Sequence, residues 1–494
     1  MKRIIGVDIG ASGGKMGIAG FDGERLNIHE YRDFINRPVR TGTAFYWDVF
    51  SLYNAILDGM AEFRGKYGEA DTIAVDTWGA SYALLDGQGR MMEPMYHYRD
   101  LRTVNSMEEI EKRLPLRTLF RLTGCQCNRT YTLPQMYTYV TEGNKYILDN
   151  AKTMLFLPDL LCYFMGGAKT CELSIAGTSG LMNKNLKDWS KAAMRAFGIP
   201  QDIFPQLVDS ATYKGKIAQH VMDYTGMENT RIIATVEHDS AAAVAAIPNF
   251  GKNRLYISIG TNVSMGVEKD KSVISDTAFR RGFKNTGGIG RSAIVYRDFS
   301  ACWHLNEFMR TKREKGVVYS NSDLIEIAEK TPSPKVFIDL EYPDFINGIG
   351  DFCIKMNNYF KLTGQRTLSE DGEFIRCIFE SIALKTHHYA RNFIKMGEEF
   401  SSVHVVNGAT RNKLLMQMIS SVLGREISAG MTYATINGNI LTQLIAEQEV
   451  SSVEQMRQIS AKSFDMEHYE PQDRELWKEL VGIYESAICK DYAE

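Results

Sequence analysis

The fold prediction starts from the stretch Asp8-Ile9-Gly10-Ala11-Ser12-Gly13-Gly14-Lys15. It lies between two apolar runs that read as strands. Its glycines and small residues predict a tight hairpin whose backbone N–H groups face phosphate oxygens, with Lys15 as an added cation. Asp8, at the end of the first strand, suits a Mg²⁺ ion held partly through water. An ordinary tight turn accounts for the same residues, so both interpretations stand at this point.

A similar hairpin recurs in the second half of the chain. Leu255–Ile259 reads as a strand, Gly260-Thr261-Asn262 as a turn, and Ser264–Glu268 as the returning strand. A repeat of this kind predicts an α/β protein whose two similar lobes face each other. We place the N-terminal lobe at residues 1–248 and the C-terminal lobe at residues 249–494. The alternative is that two buried hairpins resemble each other by chance.

An acidic residue stands where a third strand meets a helix. The apolar run Arg231–Val236 is followed by Glu237-His238-Asp239-Ser240 and then by the small residues Ala241–Ile247. One interpretation makes Asp239 the N-cap of that helix. The other makes it a general base, because phosphoryl transfer to a hydroxyl requires a carboxylate that accepts the proton.

Two further strand ends carry residues that suit small-molecule binding. Asp76-Thr77-Trp78-Gly79 ends a buried strand, and Trp78 is either a core aromatic residue or the wall of a sugar site. Asn407-Gly408-Ala409-Thr410 follows the strand Ser402–Val406 and precedes a helix. That geometry lets backbone N–H groups approach a nucleotide.

Composition excludes several classes of function. The 494 residues carry a net charge of -3, and Lys and Arg are scattered, which gives no reason to expect a nucleic-acid or membrane partner. The apolar stretches are too short for a membrane span. The eight cysteines are spread out, and Cys125 and Cys127 lack the spacing of a zinc or redox site. This usage predicts reduced thiols in a cytoplasmic protein.

Taken together, these motifs resemble the FGGY family of carbohydrate kinases over nearly the whole chain. Each motif is modest alone, but their order and spacing are specific. The resemblance rests on these segments, in chain order: Asp8–Lys15, Asp76–Gly79 leading into Leu84–Asp86, Tyr98–Asp100, His238–Ser240 running into Ala241–Pro248, Gly260-Thr261, Gly287-Gly288 before Trp303, Asn407–Leu415 and Ala429–Asn439.

The resemblance implies two actin-like (ribonuclease H-like) lobes with the active site in the cleft between them. It implies that Asp239 deprotonates the sugar hydroxyl that attacks the γ-phosphate of ATP, with Mg²⁺ at Asp8. Around ATP it implies Ala11, Ser12, Gly13, Gly14, Lys15, Thr261, Asn306 and Gly408. Near the sugar it implies Gly79, His238, Ser240 and Asp298, to which we add Trp78 and Ser81.

The sequence departs from the family pattern beside the predicted sugar site. After Asp-Thr-Trp-Gly the family usually continues Val-Asp, and that Asp often binds a sugar hydroxyl, but this chain has Ala80-Ser81. Losing a charge-assisted hydrogen bond there costs about 1.5–3 kcal/mol, which is enough to change the preferred sugar. Gly13, Lys15 and Asn262 are further departures.

The leading hypothesis is an ATP-dependent ketose kinase that acts as a monomer or homodimer on a small sugar. L-rhamnulose is the first candidate substrate, and L-fuculose and D-xylulose are alternatives. A sugar or nucleotide sensor without transfer activity would be expected to lose Asp239 or the phosphate turns, and all of them are present. An actin- or chaperone-type ATPase would not require Trp78 in a sugar-facing loop.

Overall fold

The computed structural model describes residues 2–346 and 348–488, which fold into two compact units. Unit 1 comprises Met1–Gly251, Glu268–Val295 and Tyr433–Phe464. Unit 2 comprises Lys252–Val267, Tyr296–Thr432 and Asp465–Glu494. Each unit contains a β-sheet and helices, which confirms the predicted α/β class with two sheet-containing lobes. Each unit is built from three separate segments of the chain, and the lobe boundaries 1–248 and 249–494 remain a prediction.

The strands of both units are short to medium in length, from three to ten residues, and are numbered in chain order. They are β1 (Lys2–Ile9), β2 (Gly13–Phe21), β3 (Leu26–Ile35), β4 (Val39–Thr41), β5 (Ala44–Tyr46), β6 (Thr72–Thr77), β7 (Tyr82–Leu85), β8 (Thr153–Phe156), β9 (Thr170–Glu172), β10 (Gln206–Val208), β11 (Thr212–Lys216), β12 (Arg231–Ala234), β13 (Arg254–Ile259), β14 (Asn262–Lys269), β15 (Lys284–Gly287), β16 (Ala293–Ser300), β17 (Ser402–Val406), β18 (Ile427–Gly430) and β19 (Met466–Tyr469).

The α-helices follow the same order. They are α1 (Val49–Tyr67), α2 (Ser106–Arg113), α3 (Leu116–Thr123), α4 (Thr132–Thr141), α5 (Lys145–Asn150), α6 (Leu157–Met165), α7 (Leu173–Ala176), α8 (Lys191–Ala196), α9 (Gln219–Thr225), α10 (Asp239–Ala246), α11 (Asp276–Arg280), α12 (Cys302–Glu314), α13 (Asn321–Lys330), α14 (Phe352–Leu362), α15 (Asp371–Lys395), α16 (Lys413–Leu423), α17 (Ala434–Ala446), α18 (Val453–Ser463) and α19 (Arg474–Ile488).

The sheet of unit 1 has the strand order β11-β12-β6-β1-β2-β3. β1 pairs antiparallel with β2 across the glycine-rich turn and parallel with β6 on its other side. In unit 2, β13 pairs antiparallel with β14 and parallel with β17. Both sheets therefore contain an antiparallel hairpin whose first strand also pairs with a parallel strand. This shared arrangement confirms the predicted structural repeat.

Helix α17 brings a late part of the chain back to unit 1. It packs on β1 so closely that a Cβ atom on Gly6 would lie 2.7 Å from the Cγ1 atom of Ile440. Its other side packs against α10, where a Cβ atom on Gly438 would overlap the carbonyl oxygen of Ala242. This backbone-to-backbone approach explains why residues 433–464 join unit 1.

None of the helices in the described part of the chain combines the length and the apolar character that a membrane crossing requires.

Gly438→Ala tests the contact between α10 and α17. The added methyl group has no space unless the helices separate, so we expect the protein to lose about 3 kcal/mol of stability, visible as a lower melting temperature. Gly482→Ala is the matched control, because Gly482 is also helical and its Cβ would meet no atom within 4 Å. The control should gain about 0.5–1 kcal/mol. Equal melting temperatures for both variants would contradict the close approach.

Candidate active site

Four neighbouring strands of unit 1 place charged residues side by side. In the register of the sheet, Asp33 on β3 faces Lys15 on β2, Lys15 faces Asp8 on β1, and Asp8 faces Asp76 on β6. Directly paired residues on adjacent strands project from the same face of a sheet. The charges of the row therefore alternate from Asp33 through Lys15 to Asp8. Its last two members, Asp8 and Asp76, are both carboxylates.

Asp8 and Asp76 are the like-charged pair at the end of this row. Burial and the charge of Asp239 raise the pKa of Asp8 to about 7, although Lys15 opposes the shift. Burial and Asp8 raise the pKa of Asp76 well above its ordinary value. The Nδ2 group of Asn439 on α17 donates to Asp76 Oδ2 at 2.7 Å, whereas Asp76 Oδ1 has no hydrogen-bond partner within the described structure.

Asp239 is a partly exposed carboxylate whose charge acts on both Asp8 and Asp76. It is the first residue of α10, and His238 is the N-cap, so Asp239 does not cap the helix. One of its oxygens accepts hydrogen bonds from the backbone and hydroxyl of Ser240, and His238 Nε2 lies 3.4 Å from the same oxygen. The side chain of Asp239 is 30% exposed, while Asp76 is fully buried. A bound substrate can therefore reach Asp239.

The predicted phosphate turn is exposed at its tip. Ala11 and Ser12 face solvent, and the N–H of Gly10 donates to the carbonyl of Gly13 at 2.9 Å. Gly14 has no space for a side chain, because a Cβ there would overlap the ring of Phe34. The turn thus has the open, small-residue surface expected of a phosphate site.

Lys15 is engaged with neighbours in this structure. Its ammonium group forms an ion pair with Asp33 and lies 4.6 Å from the ring centre of Tyr433. Tyr433 packs at a tilted angle against Tyr31, whose hydroxyl donates to Asn437 at 2.7 Å. A phosphate group would have to compete with these contacts for the lysine.

The predicted sugar loop contains an aromatic pair held by one serine. The indole N–H groups of Trp47 and Trp78 both donate to Ser81 Oγ, at 3.0 and 2.8 Å, and their ring centres are 4.0 Å apart. Ser81 is only 1% exposed. The structure therefore places Ser81 behind the indoles rather than on an open surface. Gly79 lies tightly against Thr178, because a Cβ there would be 2.5 Å from the Thr178 Cβ atom.

The nucleotide residues predicted in unit 2 gather at one edge of its sheet. Thr261 follows β13 and Gly408 follows β17, and these strands are parallel neighbours. The Asn407 side chain donates to Ser258 Oγ at 2.8 Å, and the carbonyl of Thr261 accepts from the N–H of Trp303 at 3.1 Å. That second bond ties the turn to α12, the helix that carries the exposed Asn306.

Asp298 belongs to a different unit from the other predicted sugar residues. It is a half-buried residue of β16 in unit 2, and its charge contributes, after burial, to the raised pKa of Tyr256. The other predicted sugar residues, Trp78, Gly79, Ser81, His238 and Ser240, belong to unit 1. Sequence reasoning missed Asn439 and Trp47, because no local pattern marks a residue whose partner lies far along the chain.

Comparison with known proteins adds a family to this geometry. Residues 3–246 match the N-terminal domain and residues 255–447 the C-terminal domain of the FGGY family of carbohydrate kinases. A rhamnulokinase of Bacteroides thetaiotaomicron is 30% identical, over 96% of this chain and 97% of its own length. A rhamnulokinase of Halalkalibacterium halodurans is 29% identical, over 96% and 100%.

Solved structures share the fold at low identity. A xylulose kinase from Lactobacillus acidophilus superposes with a TM-score of 0.82 at 13% identity, covering 100% of this chain and 99% of that one. A glycerol kinase from Plasmodium falciparum, solved with ADP, has a TM-score of 0.81 at 16% identity, with the same coverage.

Ser81→Ala tests whether the serine holds the aromatic pair. Two buried indole N–H groups would lose their acceptor, so we expect a loss of about 1–3 kcal/mol of stability and a change in tryptophan fluorescence. Ser420→Ala is the control, because Ser420 is also buried and its hydroxyl donates to the carbonyls of Arg425 and Tyr469 rather than accepting from indoles. The control should lose stability without the fluorescence change. An unchanged emission spectrum in Ser81→Ala would refute the role.

Proposed function

Because the chain belongs to the FGGY family of carbohydrate kinases, we propose that it transfers the γ-phosphate of ATP to a hydroxyl of a ketose, with Asp239 as the general base. L-rhamnulose is the first candidate substrate, since the relatives named rhamnulokinase are 26–30% identical over nearly the whole chain. L-fuculose and D-xylulose are the alternatives. The likeness to xylulose kinase structures, at 13% identity, supports the fold and not the sugar.

The position of Asp239 carries this proposal. It is a partly exposed carboxylate beside two carboxyl groups whose pKa values are raised by burial, so it is the member of the group suited to accept a proton from a ligand. As the sugar oxygen bonds to the γ-phosphorus, its proton passes to Asp239 and the bond between that phosphorus and the bridging oxygen of ADP breaks. Asp76 is too buried for this role.

Sugar kinases of this family use ATP, generally with a divalent metal, and the residues around Asp8 fit such an ion. Asp8 and the neighbouring Asp76 carry hard oxygen donors, and Asp76 Oδ1 has no partner in the described structure. No group of three His, Cys, Asp or Glu side chains among the described residues is arranged to hold a metal by itself. We therefore propose that Asp8 holds Mg²⁺ together with phosphate oxygens and water, and that the ion offsets phosphate charge.

We propose that ATP is bound by Ala11–Lys15 from unit 1 and by Thr261, Asn306 and Gly408 from unit 2. For the sugar we propose the predicted set of Trp78, Gly79, Ser81, His238, Ser240 and Asp298. Ser81 would act through the indole rings that it fixes, because its own hydroxyl is buried. Cytoplasmic location and a monomeric or homodimeric state remain predictions.

Asp239→Asn tests the base. The amide keeps the size of the side chain but accepts no proton, so we expect kcat to fall by about 10²–10⁴-fold while ATP and sugar still bind. Isothermal titration calorimetry measures the binding, and a coupled ADP-release assay measures the turnover. Asp209→Asn, at an exposed carboxylate paired with Arg291, is the control and should keep full activity. Near-normal turnover of Asp239→Asn would refute the assignment.

A panel of ketoses tests the substrate. L-rhamnulose, L-fuculose and D-xylulose are each added with ATP, and ADP release is compared with a sugar-free reaction. We expect sugar-dependent release with the highest kcat/KM for L-rhamnulose. A different first sugar would correct the substrate while leaving the kinase assignment intact. Release that does not depend on any sugar would indicate an ATPase, and binding without release would indicate a sensor.

A further inference from the structure

A fully buried lysine, Lys214, pairs with Glu237, which lies two positions before the proposed base. The Lys214 ammonium lies 2.5 Å from an oxygen of Asp159 and 2.6 Å from an oxygen of Glu237, and all three side chains are 0% exposed. Burial opposes the charge of Lys214, but the attraction of the two carboxylates outweighs it and raises the pKa of the lysine well above its ordinary value. Glu237 is separated from Asp239 by one residue.

The backbone is bent to place this lysine inside. β11 and β12 pair Tyr213 with Ile233 and Gly215 with Ile232, so Lys214 is the extra residue of a β-bulge. Gly215 has a φ of 147°, a conformation that favours glycine. Bulges re-aim a side chain at a local cost in pairing, and they occur often beside active sites. The lysine is therefore directed into unit 1 by its strand.

Three groups of Glu237 have partners: one carboxylate oxygen, the backbone N–H and the backbone carbonyl. Its carboxylate meets Lys214, its N–H donates to Glu172 at 3.2 Å, and its carbonyl accepts from the N–H of Thr77 at 3.0 Å. The next residue, His238, donates its N–H to Ser174 Oγ at 3.1 Å. The segment before Asp239 is thus fixed by contacts of the Glu237 side chain as well as by hydrogen bonds of the backbone.

The charges of the cluster make the lysine difficult to replace. Glu172 is a third buried carboxylate, and it also accepts from Ser174 and Ser210. Glu237 Oε2 and Asp159 Oδ2 are buried without a hydrogen-bond partner in the described structure. Removing one partner of such a buried ion pair leaves an uncompensated buried charge, which is strongly destabilising.

We propose that Lys214 is a positioning residue for the phosphoryl transfer: by holding Glu237, it fixes the turn that presents Asp239 to the sugar hydroxyl. This inference rests on the proposed role of Asp239 as base. It assigns a function to an ion pair that touches neither ligand. A misplacement of about 1 Å in a catalytic group costs about 10²-fold in rate, so the anchor acts on turnover rather than on binding.

Two substitutions test the anchor, and each removes a different half of the Lys214–Glu237 bond. Lys214→Met deletes the cation, and Glu237→Met deletes the carboxylate but leaves Lys214 paired one-to-one with Asp159. We expect each to lower kcat by about 100-fold while KM for ATP and for sugar changes by less than about threefold. Because Glu237→Met removes a buried carboxylate and keeps the cation, it keeps the test available if Lys214→Met does not fold.

The double variant Lys214→Met/Glu237→Met separates positioning from general damage. If both residues act through one bond, the double variant should be no slower than the slower single variant. Asp159→Leu should reduce kcat less than Glu237→Met, because Lys214 would still hold Glu237. Lys385→Met is the control in unit 2, where a nearly buried lysine also bridges two carboxylates, Asp339 and Glu341. It should lose melting temperature and keep kcat.

The activities of these variants and of Asp239→Asn distinguish a failure of the positioning role from a failure of the proposed base. Folded Lys214→Met and Glu237→Met with kcat near that of the parent protein would overturn the positioning role. So would a loss of kcat in Lys385→Met as large as in those variants, or losses that multiply in the double variant. If Asp239→Asn is inactive while the anchor variants are active, only the anchor fails. If Asp239→Asn is active, the proposed base fails.

Discussion

The parallel pairing of β1 with β6 forces two carboxylates together, and much of unit 1 is arranged around that constraint. Asp8 and Asp76 occupy facing positions at the ends of these strands. Two ionised carboxylates in a buried setting repel each other strongly, so their pKa values rise and neighbouring groups must offset the charge. Lys15 does so from β2, and Asn439 does so from α17. A cation at Asp8 would relieve the remaining repulsion.

Helix α17 links this constraint to the proposed base. The same short helix supplies Asn439 to Asp76 and presents Gly438 to the backbone of α10, which begins at Asp239. A shift of α17 would therefore move Asn439, which donates to Asp76, and would also disturb α10, whose first residue is Asp239. These two contacts of α17 account for the place of residues 433–464 in unit 1, although they follow most of unit 2 in the sequence.

Local patterns predicted the hairpins, their repetition and the strand-to-helix position of Asp239, because these depend on residues adjacent in sequence. Alternating or continuous apolar runs mark strands, and glycines mark the turns between them. The partners of buried polar groups escaped prediction for a physical reason. Asn439 lies 363 positions from Asp76, and Trp47 lies 34 positions from Ser81. A hydrogen bond between distant residues leaves no periodic signal in the sequence.

Ser81 shows how the structure changes the meaning of a sequence departure. From the sequence, the loss of a carboxylate at this position removes a charged hydrogen bond to the sugar. In the folded chain the serine hydroxyl instead accepts two indole N–H groups and lies out of solvent. A carboxylate there would bring a charge into an aromatic environment, which is costly without a cationic partner. The neutral serine therefore suits its place between two indole N–H groups, for which a single hydroxyl oxygen is the acceptor.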